Sequence, residues 1–276
     1  MVSRVKVVGG ADRDYRRDGS VVDPRADVHP DAVIGPDCQI GPFAVVGAGV
    51  SLGEGCALHG HAVVLGPTIL GPGNEIHPFA CVGGSPQDLR HRGEPTRLVV
   101  GRDNVFREHV TVSRGTAHGG GETTIGDANL LMAYCHVAHD CRIGSHVVMA
   151  NCATLAGHVQ VEDHVVFGGL VAVGAFLRVG ESAMLAAGSM IEREVPPFCT
   201  VAGDRARLRA VNRVGLDRRS VGPDARAQIK QIFRALKARS ESLEQIIAQC
   251  RETFDLTDEA SRMLIFLERV ERGLTR

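Results

Sequence analysis

From Val22 onward the chain places Val, Ile, Leu, Met or Phe at every sixth position, through Val28, Ile34, Ile40, Val46, Leu52, Leu58, Val64, Leu70 and Ile76 to Val82. The register resumes at Val100, Phe106 and Val112, slips by one residue, and runs again from Ile125 to Ile191. Such residues make up roughly a third of an average chain, so an unbroken series of this length is not a chance event. Four residues after each stop the side chain is usually small or β-branched, as at Ala26, Ala32, Cys38, Ala44, Cys56, Ala62, Cys135, Cys141 and Ala153. Neither a helix, with period 3.6, nor a simple strand, with period 2, produces this pattern. Hexapeptide periodicity marks a parallel β-helix, in which three short strands form one triangular coil of about 18 residues. The large residue then fills the middle of a flat side, the small one sits inward near a corner, and the frequent following Gly, as in Ile34-Gly35, is expected to serve the tight turn.

The period also divides the chain. Residues 1–20 precede it, show no period, and read as a disordered N-terminal extension or a misassigned start. Residues 21–197 form the β-helix, interrupted by insertions at 83–97 (GGSPQDLRHRGEPTR) and 113–123 (SRGTAHGGGET). Loops of that size on a regular solenoid are often functional. Pro196-Pro197 is expected to end the repeat. In 198–276 the spacing turns helical around Ile229, Ile232, Phe233 and Leu236, then Leu243, Ile246, Ile247 and Cys250, then Leu264, Leu267 and Val270. Three amphipathic helices follow, with Ser240 or Ser242 and Thr257 as N-caps, expected to close the last coil.

A net charge of -1 gives no pull toward nucleic acid or anionic membrane. No apolar stretch is long enough to insert stably in a bilayer and the first residues are polar, so a cytoplasmic protein is expected. The eight cysteines include no C-x-x-C, and half of them occupy the small inward column, which points to packed free thiols.

Sorting the outward residues by coil gives three unlike faces. One carries Thr124, Arg142, Gln160, Glu162 and Arg178 and reads as solvent-exposed. A second carries Leu130, Met132, Val148, Ala150, Val166, Met184 and Ala186, an apolar strip that calls for a subunit interface or a greasy ligand. The third carries His136, Ala138, Thr154, Ala156, Ala172 and Gly174, which leaves space around one imidazole. A homotrimer fits, because each interface then joins two different faces. At the corner after the third face, His139-Asp140, Gly157-His158 and Ala175-Phe176 stack on successive coils. A carboxylate beside an imidazole suits proton abstraction from a hydroxyl, although solvated turn residues would look the same in sequence. Zinc held by His136, His139 and His158 lacks a three-His spacing, so no metal is expected.

Longer motifs carry a specific resemblance. Leu130 to Gly157 (LLMAYCHVAHDCRIGSHVVMANCATLAG), with Gln87-Asp88-Leu89, Gly93-Glu94-Pro95-Thr96-Arg97, Arg114-Gly115-Thr116 and Gly119-Gly120-Gly121, resembles the acyl-[acyl-carrier-protein]:UDP-N-acetylglucosamine O-acyltransferases, which carry out the first step of lipid A biosynthesis. The likeness runs from about Val21 to the terminal Arg-Gly-Leu-Thr-Arg. It implies a left-handed parallel β-helix with a C-terminal α-helical domain, a homotrimer with active sites between subunits, a UDP-sugar acceptor, and acyl carrier protein with its phosphopantetheine arm as the donor substrate. It implies no other cofactor. Left-handedness runs against the usual crossover rule, and periodicity alone does not give the hand.

By resemblance, His139 is the general base for the sugar 3-hydroxyl, Asp140 orients it, and the Gly157 amide stabilises the oxyanion. His136, His158, Gln87 and Arg90 match substrate-contacting positions, the last of which is often Lys in the family. Asn212 and Arg218 match positions near the nucleotide or the pantetheine arm. They lie in Asp204 to Arg219, which holds six Arg and two Asp, a basic patch suited to a diphosphate or an acidic carrier protein. Ala187, beside Met184, matches the acyl-length determinant, and its small size favours a medium-to-long 3-hydroxyacyl chain. Two departures stand out. Gly174 and Ala175 replace a His and a Gln, which points to altered sugar recognition, a larger pocket, or a paralogue acting on another acceptor such as a 3-amino sugar nucleotide. N-acylation of an amino sugar by a related hexapeptide transferase and a non-catalytic scaffold are the competing readings. The first usually needs a larger N-terminal domain, and retention of His139, Asp140, Gln87 and His158 argues against the second.

Overall fold

A computed structural model describes residues 19–276, so the expected N-terminal extension lies, except for its last two residues, outside the described residues. Ser20 already belongs to the coil: it is buried, its hydroxyl donates to the Gly35 carbonyl at 3.1 Å, and it accepts from the Cys38 amide at 3.1 Å.

Strands of mostly two or three residues wind into a left-handed parallel β-helix with three sheets of 11, 9 and 8 strands. Pairing is parallel and one coil apart, as in Val21↔Gln39, Leu130↔Val148 and His136↔Thr154. The sixth-position residues form a continuous core, with Leu58, Ile76, Phe106, Leu131, Met149, Leu155, Phe167 and Leu185 all buried. Backbone amides along this ladder donate to carbonyls one coil on, as from Val21 to Cys38 and from Gly41 to Leu58, so stacking satisfies polar groups that a single coil would leave bare.

The glycine expectation is corrected. Gly35 is not in the left-handed region; a Cβ there would lie 2.8 Å from the Gly53 carbonyl carbon, so glycine after a stop permits close stacking of coils. The left-handed corner falls two residues later and is mostly taken by other residues, including Asp37 (φ 57), His61 (φ 64), Phe79 (φ 65) and Asp140 (φ 60). Asn74, Asn104 and Asn129 occupy the small inward column on three successive coils and form a buried ladder.

Two further boundaries move. Pro196-Pro197 does not end the coil, because Cys199–Ala202 pairs parallel with the strand Met184–Leu185 and then turns into the antiparallel strand Arg207–Val211. Besides the three anticipated helices, α2 (Pro223–Ala238), α3 (Leu243–Thr253) and α4 (Asp258–Glu268), a short α1 (Arg213–Arg218) precedes them. Ser242 makes a full capping box with Gln245, and Thr257 caps α4 through the Ala260 amide. The helices pack along the polar face as well as over the end. Arg178, read from the sequence as solvent-exposed, is covered: it pairs with Glu194 at 2.7 Å, donates to the Phe266 and Arg269 carbonyls at 3.0 and 2.8 Å, and stacks on the Phe266 ring.

Candidate active site

Both insertions and the His139 corner leave the same edge of the prism. Val82, Val112 and Val137 are in register on three consecutive coils, so the loops after Val82 and Val112 and the His139-Asp140 turn stand one above another. Arg114 ties the loops together by donating to the Gly66 and Gly83 carbonyls at 2.8 and 2.7 Å.

Asp140 is the fixed point. Its carboxylate is almost inaccessible and accepts from the Thr116 amide at 2.9 Å, the Thr116 hydroxyl at 2.6 Å and His139 Nδ1 at 2.7 Å. Its own amide donates to the Thr123 hydroxyl at 2.8 Å. Burial opposes ionisation, but the bonds from Thr116 and His139 outweigh it and hold the carboxyl below its ordinary value. An ionised Asp140 makes His139 Nδ1 the protonated nitrogen and leaves Nε2 free to accept. The second loop roofs this pair so closely that a Cβ on Gly119 would fall 2.2 Å from the Asp140 carboxyl carbon.

Gly157 supports the ring from the other side. A Cβ there would lie 2.6 Å from His139 Cε1 and 2.9 Å from Nε2, so only glycine lets the imidazole lie against the backbone. Among the described residues, no acceptor takes up the Gly157 N–H. His158 meets His139 edge-on with centroids 5.3 Å apart and stacks on Phe176 at 4.3 Å, and burial pushes its pKa down. His136 bonds the Thr111 hydroxyl through Nδ1 at 2.7 Å, and burial depresses it too.

Across from His139 Nε2 stands Asp88, with Oδ2 at 3.9 Å. Asp88 pairs with Arg90 at 2.7 Å and with His118 Nε2 at 3.2 Å; the Arg90 guanidinium, then its amide, hold the carboxyl well below the usual range. The imidazole thus sits between two carboxylates, one bonded to Nδ1 and one facing Nε2 at 3.9 Å. Asp140 Oδ2 also lies 3.6 Å from His158 Nε2, so His139, Asp140 and His158 are close enough to chelate. That oxygen already accepts from Thr116 and His139, which favours an imidazole–carboxylate pair over a metal centre.

The structure therefore brings together His139, Asp140, Gly157, His158 and Arg90, with His136 on the adjoining strand. Gln87 is exposed on the first loop. Asn212 and Arg218 lie elsewhere. The Asn212 side chain caps α1 through Gly215 N at 3.0 Å and donates to the Ser182 carbonyl at 2.8 Å, on a different edge of the prism. Met184 and the exposed Ala187 lie on and beside the apolar face. Sequence reasoning gave no role to Asp88, Thr116, His118 or Thr123. Placing the insertions on the same edge as His139 by coil counting would have exposed them.

Known proteins resemble the chain over both its coil and its helical domain. The family model described as UDP N-acetylglucosamine O-acyltransferase, domain 2, matches residues 194–275, and the bacterial transferase hexapeptide model matches 17–48 and 122–157. An acyl-[acyl-carrier-protein]–UDP-N-acetylglucosamine O-acyltransferase from Anaeromyxobacter sp. (strain Fw109-5) is 44% identical over 211 residues, covering 76% of this chain and 82% of the relative. One from Verminephrobacter eiseniae is 43% identical, covering 78% and 83%. The crystal structure of the UDP-N-acetylglucosamine acyltransferase from Bacteroides fragilis superimposes with a TM-score of 0.90 at 30% identity, covering 93% of this chain and 100% of that one. With these matches spanning coil, site and helical domain, the chain belongs to the UDP-N-acetylglucosamine O-acyltransferase family.

Proposed function

We propose that the protein moves a 3-hydroxyacyl chain from acyl carrier protein to the 3-hydroxyl of UDP-N-acetylglucosamine, the first step of lipid A biosynthesis. The observation that carries this is the His139–Asp140 pair seated on Gly157 and facing Asp88. His139 Nε2 takes the proton as the sugar oxygen attacks the thioester carbonyl carbon. The charge on the resulting tetrahedral oxyanion is met by the Gly157 N–H. Collapse breaks the C–S bond, and the pantetheine thiolate leaves with the proton returned by His139. A thiolate is a competent leaving group, so the step draws on no metal and on no cofactor beyond the donor's own pantetheine arm.

Asn212 and Arg218 lie on an edge away from His139, so they contribute to the site only from a neighbouring subunit. A homotrimer supplies that neighbour. It also covers the ladder Phe43, His61, Phe79, His109 and Tyr134, stacked at 4.7 to 5.2 Å along the edge between the apolar and open faces. Three of these are at least half exposed in the single chain. Among the described residues no helix is long and apolar enough to cross a membrane, and water-soluble substrates fit a cytoplasmic enzyme. Gly174 is the departure that a second acceptor, a 3-amino sugar nucleotide, would test; a Cβ there would lie 3.3 Å from the Ile191 carbonyl oxygen.

The test supplies UDP-N-acetylglucosamine and its 3-amino analogue with 3-hydroxyacyl carrier proteins of graded length. His139→Ala should lose about 10²–10⁴ in rate. Transfer to neither acceptor, or full activity in the variant, would overturn the assignment. Sedimentation should show three chains, and a monomer with full activity would remove the shared site.

A further inference from the structure

Well away from the active-site corner, on the face that turns apolar higher up, three side chains converge without any role in the chemistry above. His59 follows the strand Ala57–Leu58, and Glu75 and His77 flank Ile76 on the next coil. The strands pair Glu75↔Ala57 and Ile76↔Leu58, which puts the two imidazoles in register. Their rings stack 4.6 Å apart. Both Nε2 atoms turn toward one oxygen, Glu75 Oε1, at 2.7 Å from His59 and 3.1 Å from His77. The candidate ligand atoms lie within 4.8 Å of one another.

We propose that His59, Glu75 and His77 form a binding site for a divalent transition metal of the zinc type. Two imidazoles and a carboxylate are a donor set that zinc accepts, with a fourth position left for water or another ligand. Bonds of 2.0–2.1 Å in a tetrahedron require ligand atoms about 3.4 Å apart. From 3.1 Å the His77–Glu75 pair needs to open by about 0.3 Å, and from 2.7 Å the His59–Glu75 pair by about 0.7 Å, a shift that half-exposed side chains can make. His77 also has the support that metal-bound imidazoles usually have, because its other nitrogen faces Glu108 Oε1 at 3.5 Å. Arg107 pairs with the same Glu108 at 3.1 Å and keeps that carboxylate in place. His59 and Glu75 are each about two-fifths exposed, so an ion can enter from solvent. Bound there, it would clamp two successive coils.

The active-site cluster of His139, Asp140 and His158 is the obvious competitor for added metal, so the experiment must separate the two. Co²⁺ and Zn²⁺ are titrated into the full chain, into His59→Gln/His77→Gln, and into His139→Ala/His158→Ala, following cobalt visible absorption and binding calorimetry. Expected is one ion per chain with micromolar or tighter affinity and the strong absorption of a four- or five-coordinate site. Both should be kept in the active-site variant and weakened at least a hundredfold in the His59/His77 variant. At a hundredfold excess over Kd, zinc should raise Tm by about 5 °C only where His59 and His77 remain. Glu75→Gln, with both imidazoles intact, should weaken binding at least tenfold. Wild-type affinity weaker than millimolar, or equal binding by the His59/His77 variant, would overturn the site. Loss of metal binding only on changing His139 and His158 would do the same.

Discussion

The site's individual residues were legible where they obey the coil and illegible where they leave it. His139, Asp140 and His158 sit at a counted corner, and their contact follows from the period. Asp88, Thr116 and His118 lie on insertions that have no period; coil counting puts the insertions on that edge, but the folded chain is what shows Asp88 facing His139, His118 on Asp88, and Thr116 bonded to Asp140. Asp140→Asn keeps the shape but offers His139 Nδ1 no dependable acceptor, so the ring settles in the wrong tautomer; kcat should fall about 10²- to 10⁴-fold with KM little changed. Gly157→Ala drives a methyl into the ring and should cost kcat with a far smaller loss of stability, which paired kinetics and thermal melts would separate. The pH dependence follows from the shifts. His136 and His158 have folded values depressed by burial, so the unfolded chain takes up protons first as pH falls below about 6.5. Stability should therefore be complete above 6.5 and decline as pH drops through the depressed values. The lowered Asp140 adds a second decline below its ordinary 3.8. In a pH series of melts, His158→Gln should flatten the upper limb and leave the lower one; an unchanged upper limb would show that His158 does not contribute.

At the scale of the repeating element, the sixth-position column was readable because burial repeats in register, but the second column hides a polar exception. Asn74, Asn104 and Asn129 stand where Ala and Cys stand on other coils, and a search for small residues passes over them. Each buried amide group donates to a carbonyl and accepts from a backbone amide on the following coil. Asn104 donates to Asn74 Oδ1 at 2.9 Å and to the Gly126 carbonyl at 2.9 Å, and accepts from the Asn129 amide at 2.9 Å. The ladder sits at the level of the insertions, where coils lengthen and strict stacking of small residues is interrupted. Asn104→Ala fits the space and leaves Asn74 Oδ1 its bond from the residue-104 amide, but it takes the side-chain partner from the Gly126 carbonyl and the buried Asn129 amide, so it should destabilise by about 2–4 kcal/mol. Cys56→Ala in the same column should cost far less. Urea unfolding of the two variants measures the contrast, and equal losses would mean that the asparagines only fill volume.

The molecule as a whole joins two kinds of regularity, a coil of period six and helices of period 3.6, and neither pattern says how they dock. Helices α2, α3 and α4 were readable from their apolar spacing and caps, while their path along the polar face was not, because it depends on a few long-range polar contacts. Glu194 is the centre of that joint. It is 1% exposed, pairs with Arg178 at 2.7 Å, and accepts from the Glu271 and Arg272 amides at 2.9 and 3.0 Å. Glu181 adds a second clasp through Arg262 at 2.7 Å. Arg178→Ala removes the only cation paired with Glu194 among the described residues and also frees the Phe266 and Arg269 carbonyls. A buried carboxylate left without its partner costs about 3–5 kcal/mol. Because the coil has its own continuous core, that loss should fall on the joint. Limited proteolysis should then cut between Cys199–Ala202 and α2 while the coil stays intact, and acyl transfer should drop through weaker donor binding, a rise in KM for acyl carrier protein at nearly constant kcat. Cleavage spread evenly over the chain would show that coil and helices unfold as one unit, with the Arg178–Glu194 joint no weaker than the coil itself.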